Sequence, residues 1–233
     1  MARKARAGTA AACRPDCPRT RAPGGHVAHA YVGRRSCQAA MSLGEPMEMF
    51  DTALHDVKIV VPARLGDGRG FFCEVWNRRR FALLGIDVRF VQDNHVCNPS
   101  KGTLRGLHYQ LAPAAQGKLV RVTRGAIFDV AVDIRRGSPT FGRHAEAVLS
   151  ADNWRQLWVP PGFAHGYCTI EDDTEVQYRI TDFYCPRQER GIAWDDPRLA
   201  ISWPMPVATL TVSERDRNFP PLSVQPDLFE YHR

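Results

Sequence analysis

The chain lacks any long hydrophobic run: nothing in it approaches the about 18 consecutive apolar residues of a membrane span, so no membrane partner is expected. It is also poor in helical periodicity, with one clear helical stretch between Asn77 and Gly85. A paired cysteine pattern is missing. The seven cysteines, Cys13, Cys17, Cys37, Cys73, Cys97, Cys168 and Cys185, are odd in number and scattered. That argues against a disulfide frame and for free thiols in a reducing, cytoplasmic setting. Finally, most of the chain has no charge excess. The net charge is +6, but Met1–Pro46 holds eight Lys/Arg against Asp16 and Glu45, which leaves 23 of the 31 Lys/Arg and 23 of the 25 Asp/Glu beyond it. The positive balance is therefore a property of the first 46 residues and no argument for nucleic-acid binding by the rest.

Residues 1–46 are rich in Ala, Gly, Pro and Arg, show no apolar period, and hold too few apolar residues to offset the entropy of ordering them. They are expected to form a disordered basic tail or to reflect an upstream start, since Met41, Met47 and Met49 can each begin the folded part. The segment has no apolar core of a secretory signal, although its Arg content suits a transit peptide, and Arg34-Arg35 is not followed by the hydrophobic stretch of a twin-arginine signal. Cys13, Cys17, His26 and His29 can be drawn as zinc ligands, but so short and irregular a context favours chance. Residues 47–233, by contrast, are long enough and apolar enough to bury one substantial core, and are read as a single domain.

That domain reads as strand, turn, strand. Val57–Val61 is a β-branched run ending at Pro62, Leu65–Gly70 a turn cluster, and Phe71–Trp76 a second strand. Asn77 is suited to cap a short helix closed by Gly85. Val88–Gln92, Leu104–Gln110, Lys118–Thr123, Ala126–Ile134, Glu146–Leu149, Gln156–Val159, Gly166–Ile170 and Thr174–Ile180 then follow as short strands broken by Gly, Pro, Asn or Asp. Alternation is clearest where Phe128, Val130, Val132 and Ile134 face one way and Asp129 and Asp133 the other. Near the end, Ser213 can cap a short helix that packs across one mouth of the fold. Many short strands at this spacing predict an all-β fold, a double-sheet jelly roll with a few short helices.

The most informative stretch runs from Gln92 to Arg124. Two short strand-like runs there carry Arg105, His108 and Lys118. Histidine can take and return a proton near neutrality, and neighbouring cations can hold an anion or an oxyanion. Read alone, the stretch is better described as a buried structural histidine in a hairpin flanked by two solvated cations.

Its wider context changes the weighting. Asp67-Gly68-Arg69-Gly70-Phe71-Phe72, Phe90-Val91-Gln92-Asp93-Asn94-His95, Leu104–Gln110, Gln116–Val120, Phe128–Asp133, Ser138–Gly142, Pro161–Gly166 and Trp194–Pro197 occur in that order. Together, from about Val57 to Leu222, they resemble the dTDP-4-dehydrorhamnose 3,5-epimerase family of cupin-like jelly rolls. The resemblance implies inversion of C3 and C5 of dTDP-4-dehydro-6-deoxy-D-glucose, with a base on one face, an acid on the other and a cation at the C4 oxygen.

By the same resemblance His108 matches the base, Asp216 its carboxylate partner, Tyr178 the acid and Lys118 the cation. Arg69, Glu74, Gln92, Asn94, Arg105, His165, Glu189 and Arg215 match substrate-binding positions, and Tyr184 the residue that stacks on the thymine. Singly, each has a plainer reading: Tyr178 a strand residue with a wet hydroxyl, Asp216 a helix-start carboxylate, His165 a strand-end histidine, and Glu74, Glu189 and Arg215 surface charges. Two positions depart from the family pattern, with Arg215 where a lysine is common and Phe183 where a second tyrosine is common.

Many cupins bind metal through a His-x-His pair, but His108 is followed by Tyr109 and Gln110, so no metal and no cofactor are expected. The expected partners are a dTDP-sugar substrate and a second copy of the chain in a homodimer. The alternatives are a single-carbon epimerase or ketoisomerase on a related dTDP-sugar, and a non-catalytic jelly roll that binds sugar nucleotides.

Overall fold

The structure, a computed structural model, describes residues 47–232. The expectations for residues 1–46, including the ligand set Cys13, Cys17, His26 and His29, lie outside the described residues. In chain order the elements are β1 (Glu48–Asp51), β2 (Lys58–Val61), β3 (Arg64–Asp67), β4 (Gly70–Cys73), α1 (Arg78–Leu83), β5 (Gln92–Asn98), β6 (Thr103–Gln110), β7 (Lys118–Arg124) and β8 (Ala126–Asp133). There follow β9 (Arg135–Arg136), β10 (His144–Ser150), β11 (Gln156–Val159), β12 (Phe163–Thr169), β13 (Thr174–Ile180), β14 (Glu189–Gly191), β15 (Thr211–Val212), α2 (Glu214–Arg217) and β16 (Phe229–Glu230).

Two antiparallel sheets face each other, as the spacing of short strands predicts. The first has the order β1-β2-β11-β7-β13-β5 and the second β10-β8-β12-β6-β14, with β15 joining the start of β6 in parallel. Period-two alternation sorts their side chains. On β8, Ile127 and Ala131 point between the sheets to meet Val120, Leu149, Leu157 and Val176. Val130, Val132 and Ile134 point outward, where Ile192, Leu199 and Leu222 of the C-terminal segment cover them. Phe81 of α1, with Ile86, covers Leu119 and Trp158 on the outer face of the first sheet. Each such fully buried aliphatic side chain contributes about 1.5–3 kcal/mol, so these segments are held firmly over the middle of the outer faces, while Asp93, His95 and Cys97 on β5 and Val148 on β10 stay exposed.

Three local expectations need correction. Val88–Val91 is not a strand: Val88 and Phe90 pack their side chains against Trp76 and Trp158, and ladder pairing begins only at Gln92, opposite Ile180. Most of the predicted turn at Leu65–Gly70 is strand, because β3 pairs with β4 as far as Asp67 opposite Gly70. The second strand stops at Cys73 and not at Trp76, since Asn77 turns the chain into α1, taking the N–H groups of Arg79 and Arg80 on its side-chain oxygen and donating to Glu74.

One irregularity in β6 positions everything that follows. His165 of β12 lies opposite His108, and Tyr167 opposite Arg105, so Gly106 and Leu107 together face the single residue Gly166. This bulge reverses the parity of the strand. Leu104 and Leu107 both reach apolar clusters. Arg105 turns toward the same side as His108, its Nε donating to Asn98 Oδ1 (2.8 Å). Gly106 sits at φ +132°, and a Cβ there would lie 2.5 Å from the Cα of Gly166. Because the obstacle is backbone, Gly106→Ala is expected to cost about 3 kcal/mol or more in urea unfolding; an unchanged midpoint would show that the bulge does not depend on this glycine.

Candidate active site

Past the bulge, alternation brings His108 and Gln110 of β6 to the inner side of the second sheet. The first sheet answers with Gln92 and Asn94 on β5, Lys118 on β7 and Tyr178 and Ile180 on β13, where Tyr178 stands opposite both Asn94 and Val120. With Gln116, Tyr184 and Glu189 these residues line a cavity of about 270 Å³. That is close to the lower end of the range for small-ligand pockets.

His108 is held from behind. Its Nε2 lies 2.9 Å from Asp216 Oδ1, and Asp216 is only 3% exposed. Ser213 caps α2 as the sequence predicts, its hydroxyl oxygen accepting from the Asp216 N–H (3.1 Å), while the Gly106 N–H donates to Asp216 Oδ2 (3.1 Å). Burial pulls the His108 pKa below its ordinary value and outweighs the hydrogen bond and charge of Asp216; Lys118 and Arg215 push the same way. Burial pushes Asp216 up, but the His108 ring, the Gly106 N–H and Ser213 prevail and hold it at about 2. Both members of the pair thus move down, as expected where the histidine is desolvated and the carboxylate collects donors.

Lys118 donates to the His108 carbonyl oxygen (3.3 Å), and burial lowers its pKa to about 8 against the opposing charges of Asp129 and Glu189. Burial raises the pKa of Tyr178, with Arg105 opposing. At the rim, Glu189 Oε2 accepts from both Arg215 Nη1 and the Tyr184 hydroxyl, each at 2.8 Å. Gln92 accepts from the Tyr184 N–H (3.2 Å) and donates to Asn94 (2.8 Å). His165, cross-strand neighbour of His108, places Nε2 2.6 Å from Asp129 Oδ1, both groups being buried.

The structure does not bring every predicted residue together. Arg69 pairs with Asp67 on the β3–β4 hairpin, beside a separate cavity of about 300 Å³ lined by Leu65, Phe71 and Phe72. Glu74 pairs with Arg80 and Asn77. Neither Arg69 nor Glu74 lines the His108 cavity within one chain. Sequence reasoning in turn missed Gln110, Gln116, Ile180 and Asp129 as neighbours of the site. Gln110 and Ile180 stand two residues beyond His108 and Tyr178, so strand parity alone assigns them to the same face. Among the described residues no group of three or more His, Cys, Asp or Glu is arranged to hold a metal ion, and no helix is long and apolar enough to cross a membrane.

Comparison with known proteins bears on this geometry. The family profile for dTDP-4-dehydrorhamnose 3,5-epimerase matches residues 51–223. A protein of that name from Sinorhizobium fredii is 49% identical over 187 residues, covering 80% of this chain and 95% of the relative. One from Pseudomonas aeruginosa is 53% identical over 172 residues, covering 73% and 93%. The crystal structure of a dTDP-6-deoxy-D-glucose-3,5-epimerase from Legionella pneumophila, in complex with dTDP-4-keto-L-rhamnose, is 44% identical and superposes with a TM-score of 0.76. It covers 80% of this chain and 100% of that one.

The Asp216 carboxylate has a consequence for acid stability. A folded-state pKa held at about 2, below the ordinary 3.8, contributes stability that is complete above the ordinary value and lost as pH falls through the folded one. The stability advantage of the wild type over Asp216→Asn is therefore expected to shrink by about 2 kcal/mol between pH 5 and pH 2. Urea titrations across that range would show it; a gap independent of pH would mean that Asp216 is not held as a carboxylate.

Proposed function

The chain belongs to the dTDP-4-dehydrorhamnose 3,5-epimerase family, and from that membership and its site geometry we infer that it inverts C3 and C5 of dTDP-4-dehydro-6-deoxy-D-glucose. The product is dTDP-4-dehydro-L-rhamnose, and the activity belongs to dTDP-L-rhamnose biosynthesis. The observation that carries the mechanism is that His108 and Tyr178 stand on opposite sheets of one cavity. A sugar ring lying between them meets a proton acceptor on one face and a proton donor on the other, which is the requirement of an inversion.

The C4 ketone makes the hydrogens on C3 and C5 acidic, because loss of either leaves an enolate with its charge on the C4 oxygen. With Asp216 on Nε2, His108 offers Nδ1 as the base, and Asp216 stabilises the imidazolium that forms. Lys118, still largely protonated below pH about 8, is the cation for the enolate oxygen. Tyr178, whose raised pKa keeps its hydroxyl proton at neutral pH, returns a proton to the opposite face. Tyr184 supports the thymine ring, while Gln92, Asn94, His165 and Glu189 supply hydrogen bonds to sugar and base. Arg105 and Arg215 suit the diphosphate.

The same reading extends to a homodimer. Leu65, Phe71 and Phe72 remain 47%, 58% and 67% exposed on a hairpin that also carries Arg69. Large apolar side chains around an arginine suit an arm that enters a second copy's cavity, which would return Arg69 and Glu74 to a site they do not reach in their own chain. Sedimentation is expected to give a dimer that Phe71→Ser with Phe72→Ser weakens; a monomeric, fully active wild type would remove this part of the reading.

Proton NMR of the substrate in deuterated water is the direct test of the reaction. Solvent exchange is expected at both C3 and C5, reduced about 10²–10⁴-fold by His108→Ala, with Tyr178→Phe impaired in reprotonation and activity declining above pH about 8 as Lys118 loses its proton. Exchange at a single carbon would move the protein to the single-carbon epimerases. Thermal stabilisation by the nucleotide with no exchange at all would make it a binding protein.

A further inference from the structure

His108 Nε2 has two neighbours with opposite demands. Asp216 Oδ1 stands 2.9 Å away and Arg215 Nη2 3.4 Å away. A carboxylate only accepts and a guanidinium only donates, so one ring nitrogen cannot satisfy both. With a hydrogen on Nε2 the ring serves Asp216 and opposes Arg215. With a lone pair on Nε2 it serves Arg215, and the hydrogen moves to Nδ1, the nitrogen the reaction needs free.

The two competitors are not equally fixed. Asp216 is buried and held by the N–H of Gly106 and by its place in the capped turn of α2. Arg215 is 52% exposed, lies over the Phe219 ring at the rim, and is tied to Glu189 Oε2 at 2.8 Å and, more loosely, through Nε to Asp216 Oδ1 at 3.5 Å. A diphosphate offers the guanidinium fork more negative charge than the rim carboxylate of Glu189, and paired oxygens that can accept both of its N–H groups. The other groups facing the ring do not compete for Nε2. Lys118 of β7 reaches the His108 backbone carbonyl, Tyr178 of β13 faces it across the cavity, Glu189 of β14 acts through Arg215, and His165 of β12 is engaged by Asp129 of β8.

We propose that Arg215 is a positioning residue that restrains His108 in the free protein and releases it when the substrate's diphosphate draws the guanidinium away. Release lets the ring carry its hydrogen on Nε2, donated to Asp216, and leaves the Nδ1 lone pair for the sugar. The base is thereby armed by the same anionic group that marks a bound substrate. This inference rests on the sugar-nucleotide reading of the cavity and adds a coupling between nucleotide binding and proton abstraction.

Nitrogen NMR of the full chain with labelled histidine, recorded above the ring's titration, reads the tautomer directly. Wild-type protein is expected to show a substantial fraction of His108 with the hydrogen on Nδ1, and saturating dTDP to move it to Nε2. Arg215→Gln is expected to show the Nε2 form without nucleotide. In kinetics, the acid limb of kcat/KM, which reports the free protein, should lie below that of kcat in the wild type, because Arg215 lowers the basicity of His108 only before release. The two limbs should converge in Arg215→Gln, with KM raised about tenfold by loss of the phosphate contact. A wild-type ring already carrying its hydrogen on Nε2 without dTDP, or an Arg215→Gln spectrum matching the wild type, would overturn the proposal. If dTDP perturbs no residue of the cavity, the nucleotide reading fails and release by nucleotide fails with it. If dTDP binds and perturbs Tyr184 but leaves the His108 tautomer unmoved, only the coupling falls.

Discussion

The surplus residue in β6 is the constraint on which the site depends. By setting Gly106 and Leu107 against Gly166 alone, it turns Arg105 toward the side of His108 while keeping Leu104 and Leu107 in apolar clusters. It also gives the Gly106 N–H to Asp216, the carboxylate that holds His108. A regular strand would separate these effects. Either Arg105 would face the outer clusters, or the apolar residues would face the cavity, and in both cases Asp216 would lose a buried donor. The space for this arrangement exists only because two glycines meet backbone to backbone, so a close backbone approach stands directly behind His108.

The cavity also shows why burial, more than any single charge, sets the chemistry. Desolvation lowers His108 and brings Lys118 to about 8, and it raises Tyr178. The same cause disfavours the charged form of each group. It leaves a neutral imidazole ready to accept a proton, a phenol that retains one, and a lysine whose charge is maintained by Asp129 and Glu189. An enolate formed there would find its compensating charge already in place, in a setting where water screens it little. Lys118 has a narrow margin, because its lowered pKa of about 8 lies close to neutrality.

Much of this was legible in the sequence, because the fold is written in period-two alternation. Strands β2, β4, β6 to β8 and β10 to β13, the Asn77 and Ser213 caps and the alternation along β8 follow from residue types and spacing. The motif resemblance brought His108, Lys118, Tyr178, Gln92, Asn94, Tyr184 and Glu189 into consideration as one group, and all of them line one cavity. What resisted sequence reading depends on contacts between distant segments. Val88 and Phe90 look like a strand, but their side chains join the apolar cluster around Trp158 and Trp76, and their backbone enters no ladder. Arg105 and His108 stand on opposite parities, so a bulge or a strand end is needed for both to reach one site, but nothing local distinguishes Gly106 from a turn glycine, and its place in the bulge is set by Gly166, sixty residues away. Asp129 reads as a polar residue on an exposed strand face, and only the first sheet facing β8 makes it a buried partner for His165. Arg69 and Glu74 mark a different limit. The motif groups them with His108, yet within one chain they stand on and beside the β3–β4 hairpin, outside its cavity.

The short helix α2 brings these threads together. It has four residues, so it adds little stability of its own, and its place is fixed by the Ser213 cap and by what Asp216 bonds. Consecutive helical residues point about 100° apart, since 3.6 residues make a turn, and so Arg215 and Asp216 leave the backbone in different directions, although Arg215 Nε returns to within 3.5 Å of Asp216 Oδ1. One is carried inward to a buried histidine and the other outward to the rim, yet both remain within reach of the same ring nitrogen. A longer helix or a loop would allow either charge to drift from the ring. A capped single turn holds the carboxylate still and leaves the guanidinium free to answer a competing anion, so the difference in burial between two adjacent residues becomes a difference in function.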